Sequence, residues 1–129
     1  MKIVKSFPPN IEAIRKRFKL HDGIIFTYGS TIYSPHSETL PEHLIVHEQT
    51  HEKQQGKEIE KWWALYLSDD MFRLSQEVEA YQNQYKFVAE KSSRQVKRAF
   101  LKEIAKTLSS PIYGNVVTFN QAKEWICPN

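Results

Sequence analysis

His47, Glu48 and His51 stand in the order H-E-x-x-H. On a helix, residues four apart stack on one face, so the two imidazoles can offer nitrogens to one metal ion while Glu48 projects beside them. Such a set supports hydrolysis by a metal-activated water: the histidines hold the ion and the carboxylate takes a proton. A catalytic zinc site needs three protein ligands and one open position, so a third ligand must come from elsewhere in the chain.

His43 precedes His47 by one helical turn, but residues at i and i+8 lie about 12 Å apart along a straight helix, too far for one ion to hold His43, His47 and His51 together. The pair His47/His51 has Glu48 beside it, whereas the pair His43/His47 leaves Glu48 without a role. His21 and His36 read as surface or loop residues. The better candidate is Glu77, within Gln76-Glu77-Val78-Glu79-Ala80-Tyr81. On a helical projection it falls at the edge of the apolar stripe, with Leu74 and Tyr81 as neighbours, while Glu79 falls among Ser75, Gln76, Gln82 and Asn83 on the wet face. An inward carboxylate wants a partner, because burying an unpaired charge is costly. A metal is one such partner; Arg73, four residues earlier, is the other.

These residues must be placed by the elements around them. Asn10 is positioned to cap a short helix with Ile11, Ile14 and Phe18 on one face. From Ile24 to Tyr33 the chain is rich in β-branched and aromatic residues, with Gly29-Ser30 in the middle, which predicts two short strands and a tight turn. Thr39 and Glu42 have capping-box spacing and Pro41 lies in the first turn, so a helix carrying the two histidines should begin near Leu40, bury Leu44 and Ile45, and stop at Gly56. Further helices are expected at 57–67, at 70–91 with Met71, Leu74, Val78, Tyr81, Tyr85 and Val88 as its stripe, and from Ser92, capped with Gln95, with Val96, Phe100, Ile104 and Leu108 inward. After an irregular segment at 111–117, Thr118 is placed to cap a last helix. The expectation is an α+β fold, mostly helical: a short N-terminal helix and β-hairpin, then a bundle of about four helices in a single domain over 1–129.

H-E-x-x-H followed on a later helix by E-x-x-A resembles the gluzincin arrangement, and Glu77-Val78-Glu79-Ala80 puts Glu77 in the ligand place. Where many members carry Asp after that Ala, supporting a metal-binding His, this chain has Tyr81. The wider pattern, from Ser30-Thr31-Ile32-Tyr33 through His47-Glu48-Gln49-Thr50-His51 to Phe72-Arg73-Leu74 and Glu77-Val78-Glu79-Ala80-Tyr81, looks like small metallopeptidase-like proteins of bacteria and their phages. The resemblance implies a minimal zincin-like domain and Zn²⁺ on His47, His51 and Glu77. It further implies Glu48 as general base and a peptide or protein substrate that pairs with the strand at 31–33. A second donor to the developing oxyanion is needed, and a tyrosine is chemically suited. Tyr113, beside Gly114, is the candidate, with a packed aromatic as the alternative.

Composition fits this reading without demanding it. The chain has 129 residues, 40% hydrophobic and 26% charged, with a net charge of +3; these are ordinary values for one soluble domain. One cysteine, Cys127, excludes an internal disulfide framework. The opening MKIVKSFPPN lacks an apolar region of signal-peptide length and nothing later approaches a membrane span, so a cytoplasmic protein without membrane contact is expected, or one exported without a cleaved signal. Two rival readings stand. Arg94, Arg98, Lys102 and Lys106 form an i+4 ridge within the basic stretch 91–106 that can lie along phosphates, although a solvated face is the default reading and nucleic acid is disfavoured. The other rival is a non-catalytic structural or assembly protein that keeps a metal site.

Overall fold

The computed structural model describes residues 1–128. The fold is α+β and mostly helical, and the chain divides into two compact units, Met1–Ser68 and Asp69–Asn129.

The first unit holds β1 (Lys2–Val4), α1 (Ile11–Arg17), β2 (Phe26–Tyr28), β3 (Thr31–Tyr33), α2 (Glu42–Gln55) and α3 (Ile59–Ser68). The expected hairpin is β2–β3, antiparallel with Thr27 opposite Ile32. Its two-residue turn needs a positive φ, which Gly29 supplies at +64°. The strand β1 was not expected from sequence: it adds in parallel to β3, Ile3 opposite Ile32, and gives the sheet order β1-β3-β2.

That order corrects one expectation. The strand at 31–33 is central, with both edges already paired, so it cannot accept an extended peptide. The outer side of β2 is also engaged at Thr27, whose carbonyl accepts from Gln55 Nε2 at 2.8 Å and from Trp63 Nε1 at 3.1 Å.

Helix α2 stops at Gly56, as expected, with φ +52°. Its start differs. The N-cap is Pro41, with no side-chain cap, and Ser37 Oγ instead bonds the backbone at Thr39, so the Thr39–Glu42 capping box does not form. The buried side of α2 is also not the apolar one. His47, Glu48, Thr50, His51 and Gln55 are buried, while Leu44 and Ile45 are half-buried.

The second unit holds α4 (Asp70–Ala89), α5 (Arg94–Leu108), a 3-10 turn at Pro111–Tyr113 and α6 (Phe119–Ile126). Its core comprises Leu74, Ile104, Ala105, Leu108, Tyr113, Val117, Ala122 and Ile126. Asp69 caps α4 by accepting from Phe72 N, and Thr118 caps α6 as expected, with Gln121 completing a reciprocal box that was not foreseen. The cap of α5 is Ser93 rather than Ser92, accepting from Val96 N at 3.3 Å. Val96 is 52% exposed while Ile104 and Leu108 point in as expected, because each four-residue step drifts by about 40° around the helix and carries Val96 about 80° from Ile104. Met71, expected in the α4 stripe, is exposed as well. Arg73, fully buried, pairs with Asp70 and donates from Nε to the Ile112 carbonyl at 3.0 Å, which ties the 3-10 turn to α4. A Cβ at Gly114 would meet Asp70 Oδ2 at 2.8 Å, so this turn needs its glycine. Burial, and then the neighbouring Cys127, hold the Tyr85 phenol above its usual pKa.

Candidate metal centre

A helix in water normally turns its polar face outward, and a buried polar group is tolerated only with partners. The inward face of α2 is therefore informative. Thr27 Oγ1 lies 2.9 Å from Glu48 Oε1 and 3.2 Å from the Glu48 carbonyl oxygen; its single proton serves one of them at a time. Gln55, one helical turn beyond His51, accepts from Gly29 N at 2.8 Å while it donates to Thr27 O. The strand β2 is thus fastened to α2 by side-chain hydrogen bonds that also hold the Glu48 carboxylate.

The two histidines are a ring pair with centroids 4.9 Å apart. His51 Nδ1 is 2.8 Å from Gln54 Oε1. When Nδ1 carries the proton and donates it to that oxygen, the lone pair of His51 is left on Nε2, where it can be offered to a metal. His47 Nε2 lies 3.8 Å from Glu48 Oε2, so the carboxylate is next to the first imidazole without a close hydrogen bond to it. The far side of His51 is apolar: Trp62 packs at 5.3 Å and Tyr66 at 6.4 Å, with Trp62 and Tyr66 stacked at 4.8 Å.

His47, His51 and Glu77 form a buried group that can hold a metal ion. Each offers one ligand atom, and these atoms all lie within 4.8 Å of one another. The residues are 8%, 4% and 5% exposed. A tetrahedral site with bonds of about 2 Å spaces its donors roughly 3.3 Å apart. Two imidazoles and one carboxylate also suit a borderline cation such as zinc. Glu79 is exposed, as its helical position required.

The other histidines stand apart from this group. His43 is half-buried, His21 Nδ1 faces the Asp22 carbonyl, and His36 Nε2 lies 4.0 Å from Asp22 Oδ1. Tyr113 is 5% exposed and belongs to the core of the second unit, in the 3-10 turn rather than in an irregular segment.

Three residues around the histidines escaped the sequence reading: Thr27, Gln54 and Gln55. Gln54 carried a usable signal, because a residue at i+3 from a histidine on a helix is within reach of its ring. Thr27 carried none, since its bond to Glu48 spans 21 residues and depends on how β2 meets α2. The chain matches no family model, no curated protein and no solved structure. Among the described residues, no helix is long and apolar enough to cross a membrane.

Proposed function

We propose that the chain is a zinc-dependent hydrolase acting on peptide bonds, with His47, His51 and Glu77 as ligands and Glu48 as general base. The observation that carries this reading is the polar inward face of α2. There Glu48, anchored by Thr27 at 2.9 Å, stands beside a His-His-Glu group whose ligand atoms lie within 4.8 Å. When bound, zinc supplies a Lewis acid that lowers the pKa of a water to about 7 and polarises a carbonyl.

The residues of the chain do the rest. His47 and His51 present neutral nitrogens, Gln54 holds the His51 tautomer, and Glu48 accepts a proton and can return it to a leaving amine. The Thr27 hydroxyl, by donating to Oε1, leaves Oε2 as the oxygen to receive that proton. Tyr113 is the candidate oxyanion donor, but its place in a core cluster favours a packing role. Tyr113→Phe separates the two: loss of turnover with intact stability assigns the hydroxyl to catalysis, and unchanged turnover assigns the ring to packing.

The test has two arms. Protein purified without added metal should contain about one zinc per chain, and Glu77→Ala should lose it. Glu48→Gln should keep zinc and fold but abolish cleavage of a peptide library. Metal retained in Glu77→Ala would remove the third ligand from the assignment. The deep burial of all three ligands supports one other reading, a structural metal site in an assembly protein. Unfolding on chelation, with no hydrolysis by the loaded protein, would select it.

A further inference from the structure

The basic stretch 91–106 carries six Lys or Arg residues against one acidic residue, Glu103, a local excess larger than the net +3 of the whole chain. Arg94, Arg98, Lys102 and Lys106 recur every fourth residue and are all exposed, so their Cα atoms step about 6 Å at a time along α5. Among the described residues, neither Arg98 nor Lys102 makes an ion pair.

Two members of this ridge do not simply face solvent. Arg98 and Lys102, with Gln95, form one wall of a groove of about 790 Å³ whose other wall, from α6, contributes Asn120, Lys123 and Glu124. Three cations from two helices therefore converge on one channel against a single carboxylate. Phe119, the chain neighbour of the lining residue Asn120, is exposed, with Lys123 Nζ 5.9 Å from its ring centroid.

We infer that this groove binds a strand of single-stranded nucleic acid, its phosphates against Arg98, Lys102 and Lys123 and a base against Phe119. Evenly spaced cations match a polyanion of regular charge, and a basic groove with an exposed aromatic beside it is the arrangement by which proteins hold single strands without reading sequence. Gln95 and Asn120 add neutral donors for phosphate or base edges. A membrane surface is a poor match, because lying on a bilayer requires a free apolar helix face, and α5 spends Ile104, Ala105 and Leu108 in the core and exposes only Val96 of its large apolar side chains.

The test measures binding of a fluorescent mixed-sequence 20-nucleotide DNA at several salt concentrations. Wild-type affinity should fall steeply with salt. In Arg98→Gln/Lys102→Gln/Lys123→Gln the log–log slope should be shallower by about 2, a difference of roughly 20-fold between 50 and 200 mM salt. A matched control, Lys57→Gln/Lys61→Gln/Lys86→Gln, should keep the wild-type slope, and Arg98→Lys should keep it too. Circular dichroism of each variant checks the fold, and chelation of metal should leave binding unchanged, so this inference stands or falls apart from the hydrolase reading. An unchanged slope in the groove variant would overturn it. Competition by polyglutamate as effective as that of the oligonucleotide would overturn it in favour of an acidic protein partner, and equal affinity for a duplex would overturn the assignment to a single strand.

Discussion

A single hydrogen bond governs which nitrogen His51 can offer. Gln54 Oε1 at 2.8 Å from Nδ1 orients the ring and favours the tautomer with its proton on Nδ1. Gln54→Ala should therefore weaken zinc binding by about 10- to 100-fold, as read by competition with a chelating dye, and Gln54→Glu, which keeps an acceptor, should recover most of it. Thr27 plays the matching part for Glu48. Thr27→Val should leave zinc content intact, lower turnover, and cost about 1–3 kcal/mol in urea unfolding through the buried carboxylate left short of a donor; Thr27→Ser should restore both. At this scale the sequence was informative where roles follow from helical spacing. His47 and His51 are one turn apart, His43 fails on distance, and Glu77 lies at the edge of its apolar stripe while Glu79 does not. It was silent on Thr27, because nothing local relates a strand residue to a glutamate 21 positions later.

Among the elements, the helices were easier to foresee than their ends. The α5 cap shows why. Ser92 and Ser93 are adjacent candidates with the same side chain, and only the backbone at the start of the helix decides which of them accepts from Val96 N. Thermal melts can check the assignment: Ser93→Ala should cost about 1 kcal/mol, as should Thr118→Ala at α6, while Ser92→Ala should stay within about 0.5 kcal/mol of wild type. The strand β1 was missed for a different reason. It has three residues, and its pairing is parallel to a strand far along the chain, so neither length nor alternation marks it. The inward side of α2 shows a limit of apolar patterning: its buried positions are polar because they are bound to β2, to one another and to Gln54, and such satisfaction is invisible until the strand is in place. Gln55 concentrates this effect. Gln55→Ala would leave Gly29 N without its acceptor and Thr27 O with Trp63 Nε1 as its remaining donor, and should cost about 1–3 kcal/mol, far more than an exposed glutamine would.

For the molecule as a whole, an ion that binds only the folded chain adds stability by mass action. At 100 times its dissociation constant, free zinc should contribute about 2.7 kcal/mol, which for a chain of this size raises the melting temperature by roughly 10 °C. Calorimetry with zinc and with excess chelator measures this directly, and superimposable melts would contradict a bound metal. The aromatic wall beside His51 has a consequence of another kind. Trp62 and Trp63 are buried with Trp62 5.3 Å from the His51 ring, whereas Trp125, the third tryptophan of the chain, is 42% exposed. The site therefore contains its own optical reporter. Zinc, with a filled d shell, should leave the emission of the buried pair bright, while Co²⁺ in the same place should quench it, so that occupancy can be followed by fluorescence before any substrate is known.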